Sequence, residues 1–132
     1  MSVDNRKKAV FNWSGGKDSA LALYTVLQQN EFEVVALLTT VNEETELSSM
    51  HAIPHGLLEK QAESIGIPLY PVFLPKNLPA YEQRMLDAAN HFKEQGVEHF
   101  IFGDLYLSDV RKYREDRLHP LGLEVVDPIW NL

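Results

Sequence analysis

The sequence predicts a doubly wound α/β domain: a parallel five-stranded sheet of order 3-2-1-4-5 with helices on both faces. Three observations predict it. Strand-like and helix-like runs alternate along all 132 residues. The strand runs are apolar and rich in β-branched residues, as buried parallel strands are. The first strand run ends in a glycine turn that opens directly into a helix, the junction typical of an αβ unit.

The elements follow in order. Residues 9–13 (Ala-Val-Phe-Asn-Trp) read as the first strand and residues 18–29 as the first helix. Residues 33–40 are a β-branched apolar run, the second strand. Residues 41–50 are polar and acidic without periodicity and read as a loop. Residues 54–65 carry Leu57, Leu58, Ala62 and Ile65 near helical spacing, with Gly66 as the cap. Residues 68–74 give a third strand. Residues 80–95 place Met85, Leu86, Ala89 and Phe92 on one stripe and end at Gly96. Residues 98–102 are the fourth strand, residues 108–118 a charged helix and residues 123–129 a last short strand. Right-handed crossovers leave few ways to join them. The preferred order reverses direction between strands one and four, and ligands of open parallel sheets bind beyond the strand ends at that reversal. The Ser-Gly-Gly turn and Gly103-Asp104 both fall there.

Bulk properties narrow the function. Apolar residues make up 45% and charged residues 23%, enough for one globular domain with a core. No apolar run approaches the ~20 residues of a membrane span, and the start of the chain is not a secretory leader, so a cytoplasmic protein is expected. There is no cysteine, which excludes disulfides, thiolate metal sites and persulfide chemistry. The net charge of -7 argues against nucleic acid or anionic membrane as a partner.

The chemistry concentrates in Ser14-Gly15-Gly16-Lys17-Asp18-Ser19. Glycines let the backbone approach an oxygen-rich ligand closely. The helix start adds unpaired N–H groups and the positive end of the dipole. Lys17 sits where that dipole disfavours a cation, unless an anion shares the site. Ser or Asp at this position would also serve as an ordinary helix cap; a cap needs one such residue, not six in this order. The loop is not a Walker A, because Phe11 stands where its first glycine belongs and Asp18 follows Lys17. It is not a dinucleotide fingerprint either, having two adjacent glycines and none after.

Ser14–Ser19 instead resembles the pyrophosphate loop of the PP-loop ATP pyrophosphatases, of the adenine nucleotide alpha-hydrolase-like superfamily. Gly103-Asp104, Arg111, Arg114, Leu121-Gly122-Leu123 and Pro128-Ile129-Trp130 resemble the diphthine–ammonia ligase family and its bacterial ATP-binding relatives. Met50-His51, Gln61-Ala62 and Ile65-Gly66-Ile67-Pro68 agree with that family too. The resemblance implies ATP and Mg²⁺ as cofactors. It implies an amide-forming ligase that makes an acyl-adenylate and releases AMP and pyrophosphate.

By resemblance, Ser14, Gly15, Gly16, Lys17, Asp18 and Ser19 hold the phosphates, and the backbone of Leu37–Thr40, at Leu38 and Thr39 above all, reads adenine. Gly103 lines the nucleotide crevice. Asp18 and Asp104 are the metal candidates. Lys17, Asp18, Asp104, Arg111 and Arg114 are the catalytic candidates. Arg111 with Glu115 and Lys112 with Asp116 would also form ordinary i,i+4 pairs, worth a few tenths of a kcal/mol. His51 is a weaker candidate for substrate contact, and the other histidines lack ligand spacing.

The resemblance also implies roughly half this length again beyond Trp130. A single nucleotide-binding domain over residues 1–132, with the acceptor-substrate half absent, is therefore expected. The acceptor is an unidentified carboxyl group, borne on protein as diphthine if the source makes diphthamide, and a homodimer would complete an incomplete site. Two other functions stay open: a nucleotide-binding module without turnover, and tRNA modification.

Overall fold

In a computed structural model the chain is described at residues 6–48, 52–76, 78–102 and 115–126. The elements are β1 (Lys7–Asn12), α1 (Lys17–Gln29), β2 (Phe32–Asn42), α2 (His55–Ile65), β3 (Leu69–Leu74), α3 (Leu78–Glu94), β4 (His99–Phe102) and β5 (Glu124–Val126). Residues 115–118 are helical and lead into a 3-10 turn at His119–Leu121. The five strands form one sheet of order β3-β2-β1-β4-β5, every pairing parallel. The expected topology is the observed one.

The layers follow from strand alternation. Ala9, Phe11 and Leu37 face α1 and α2, packing with Ala22, Leu23, Val26, Leu58 and Ala62. Val10, Ala36 and Leu38 face the other way, toward Ala88, Ala89 and Phe92 of α3. Val10 and Phe11 are both fully buried, so β1 is covered on both faces. Burial of an aromatic or branched side chain of this size stabilises by about 1.5–3 kcal/mol. α1 and α2 thus cover one face and α3 the other, and the strand order reverses between β1 and β4.

Boundaries shift by small amounts. α1 begins one residue earlier than expected, at Lys17, with Gly16 as its N-cap. α2 begins at His55, and Gly66 closes it in the left-handed region (φ 86°), its N–H donating to Ala62 O at 2.8 Å. α3 covers Leu78–Glu94 rather than 80–95. β5 ends at Val126, and residues 127–129 lie outside the described residues.

The larger difference is the stretch expected as a loop at 41–50. β2 runs on to Asn42, and two isolated antiparallel bridges follow, Val41 with Ser48 and Leu47 with Pro54. Asn42 turns the chain: its Oδ1 accepts the N–H groups of Glu44 and Thr45 at 2.9 and 3.0 Å. Arg84 of α3 fastens this turn by an ion pair to Glu43 (3.0 Å) and a hydrogen bond to the carbonyl of Phe73. Single bridges of this kind leave no periodic trace, which is why the sequence reads as irregular.

Candidate functional site

The chain leaves β1 at Asn12, whose neighbours are Leu38 in β2 and Phe102 in β4. Asn12 Nδ2–H donates to Ile101 O at 3.0 Å and fastens β1 to β4 where the strand order reverses. The next residue, Trp13, is buried; its N–H donates to Leu38 O at 2.7 Å.

From there the backbone wraps tightly. Ser14 N–H donates to Ser19 Oγ at 3.2 Å, and Gly16 N–H to Ser14 Oγ at 3.4 Å. Gly15 has φ +81°, a conformation that favours glycine. A Cβ there would stand 2.7 Å from Ile53 Cδ1 and 3.0 Å from Leu58 Cδ2. Both hydroxyls of the motif therefore accept bonds that shape the loop, and each keeps its own O–H to donate.

The amides of Lys17, Asp18 and Ser19 open α1. Ala20 N–H reaches Gly16 O at 3.1 Å, the first bond of the helical ladder. The three N–H groups before it lie ahead of that ladder, and Gly16 provides no side-chain cap. Among the described residues none of the three has a hydrogen-bond acceptor. Lys17 and Asp18 are exposed beside them, while Ser19 is 2% exposed. Three donors, the positive end of a 13-residue helix and a lysine at its first position are a combination that suits an anion.

Strand alternation separates the adenine-reading candidates. Leu37 N–H donates to Pro68 O, so the backbone groups of odd-numbered residues in this part of β2 face β3, Thr39 included. Leu38 faces β1, and its carbonyl already accepts Trp13 N–H. Thr40 is the residue whose N–H and C=O point past the end of β1. The sequence marks the segment 37–40, and register decides which of its residues stands past β1.

Gly103, Asp104, Arg111 and Arg114 lie outside the described residues, as does His51. Among the described residues no group of three or more His, Asp or Glu could hold a metal. A Mg²⁺ at Asp18 would take one carboxylate oxygen, with phosphate oxygens and water as the remaining ligands, the usual pattern for this ion. No helix among the described residues is long and apolar enough to cross a membrane.

The sequence model of the diphthamide synthase N-terminal domain matches residues 7–125. The chain belongs to this family. The diphthamide synthase N-terminal domain is part of the PP-loop ATP pyrophosphatase superfamily, so Ser14–Ser19 is the loop of an ATP-using family. None of the curated proteins matches the chain. Among solved structures, a formyltetrahydrofolate deformylase from Pseudomonas putida KT2440 superposes with a TM-score of 0.50 at 24% identity. That match covers 94% of this chain and 38% of the deformylase, and it is a likeness of fold alone.

Two contributors to the site escaped the sequence reading. Gln61, on α2, accepts the indole N–H of Trp13 at 2.9 Å, and Ile53 packs against Gly15. Both are far from the loop in sequence. Their only prior signal was Gln61-Ala62 as part of the family pattern.

Proposed function

We propose that this domain binds ATP with its β and γ phosphates in the Ser14–Ser19 loop and supports an amide-forming ligase. In that reaction a carboxyl acceptor attacks the α phosphorus, pyrophosphate leaves, and an amine then displaces AMP from the acyl-adenylate. The observation that carries the reading is the set of three N–H groups at the start of α1, without acceptors among the described residues, beside Lys17. Fixed donors of this kind bind the polyphosphate and stabilise the charge that develops on the leaving pyrophosphate. Thr40 provides the backbone edge for adenine. Asp18 holds Mg²⁺ against the phosphates. Diphthine, the carboxyl group that the family's name suggests, is the acceptor class, and its binding falls outside the residues described.

Calorimetric titration with ATP and Mg²⁺ tests the binding. Product analysis with an amine donor and a carboxyl acceptor tests the chemistry. AMP and pyrophosphate are the expected products. ADP and phosphate would overturn the ligase reading, and ATP binding without any turnover would reduce the protein to a nucleotide-binding module.

A further inference from the structure

An open cleft of about 420 Å³ lies on the helical side of the loop, with Trp13, Gly15, Ala20, Leu57, Gln61 and Ile65 in its lining. Gln61 reaches the loop from this side. Its Oε1 accepts Trp13 Nε1–H at 2.9 Å, and the same oxygen lies 3.2 Å from the place a Gly15 Cβ would take. Trp13 is thus held at two points, its backbone on β2 through Leu38 O and its ring on α2 through Gln61. The next residue, Ser14, holds the turn closed through Ser19 and Gly16. Gln61 thus bears on the turn through the ring of Trp13, and its oxygen fills the space beside Gly15 that a Cβ would need.

We infer that Gln61 is a positioning residue for the pyrophosphate loop, fixing the Gly15-Gly16 backbone through Trp13 in its anion-binding form. This rests on the reading of the loop as a phosphate site. A glutamine suits the task because an indole N–H needs an acceptor when buried, and a neutral amide provides one without placing negative charge beside an anion. A purely structural role would be served by any acceptor and would affect stability alone.

The test uses the whole chain and three variants: Gln61→Met, which keeps volume and helix propensity but removes the acceptor, Trp13→Phe, which removes the donor, and the double substitution. The probe is inorganic pyrophosphate with Mg²⁺, titrated calorimetrically. Gln61→Met is expected to weaken binding by about five- to tenfold, the effect of one lost hydrogen bond. The double variant is expected to be no weaker than the worse single one, because both substitutions remove the same bond. Losses that simply multiply, or Gln61→Met binding like wild type, would overturn the inference.

Amide hydrogen exchange on the ligand-free protein separates this inference from the functional reading. Faster exchange at Gly15 and Gly16 in Gln61→Met supports the positioning role even if the wild-type chain binds no pyrophosphate, a result that would count against the functional reading instead. Unchanged exchange at both glycines would overturn it. Gln61→Glu adds a charge control: it keeps the acceptor, so exchange stays near wild type, while its carboxylate weakens pyrophosphate binding.

Discussion

Ser14 N–H donates to Ser19 Oγ at 3.2 Å, joining the two ends of the pyrophosphate loop through a side chain that is 2% exposed. The bond closes the loop without using the N–H groups of Lys17, Asp18 and Ser19 that open α1. Ser19→Ala leaves the Ser14 N–H without this acceptor. The expected loss is about 1 kcal/mol in urea unfolding, offset in small part by the better helix propensity of alanine. Pyrophosphate affinity should fall with it, because the loop loses its closure.

Gly15 is held by conformation and by space. At φ +81° an alanine costs about 1–2 kcal/mol, and its Cβ would also meet Ile53 Cδ1 at 2.7 Å. The two costs can be told apart. Ile53→Val removes Cδ1, so in the Gly15→Ala background it should recover the severest part of the clash and leave the conformational part and the Leu58 Cδ2 contact at 3.0 Å. Chemical denaturation of the single and double variants reads both. Full recovery by Ile53→Val would show that the backbone angle imposes no cost.

Asn12 fastens β1 to β4 at the reversal through Ile101 O. Asn12→Ala should cost about 1 kcal/mol. Asn12→Asp should cost more at neutral pH, because an ionised carboxylate would face a carbonyl oxygen in place of a donor. Unfolding midpoints of the two variants check the order.

Lys17 is exposed at the first position of α1. The positive end of the helix repels it until an anion arrives. Lys17→Met should therefore leave stability unchanged or raise it by a few tenths of a kcal/mol. It should weaken ATP binding by about tenfold, within the range for one charge contact near a protein surface. The weakening should shrink as salt is raised. Equal ATP affinity for the variant and wild type would remove Lys17 from the site.

How legible this protein is in its sequence depends on the range of the interaction. Apolar runs, turn glycines and the order of elements are local, and they predict the sheet and its strand order. Ser14–Ser19 is also local, since its amides belong to one strand–turn–helix passage. The stretch expected as a loop at 41–50 is turn and irregular chain over residues 43–46, but β2 runs two residues into it and two isolated bridges, Val41 with Ser48 and Leu47 with Pro54, order it in a way that residue types do not announce.

The sequence by itself determined the parallel α/β sheet of order 3-2-1-4-5 and the family of the loop, because burial pattern and helix-start chemistry act between near neighbours. Only the tertiary structure decided what stands behind the loop and which backbone edge opens beside it. Gln61 reaches Trp13 across 48 residues, and Thr40 rather than Leu38 faces the end of β1 through strand register. Both depend on how separate elements pack, and no local pattern encodes that distance.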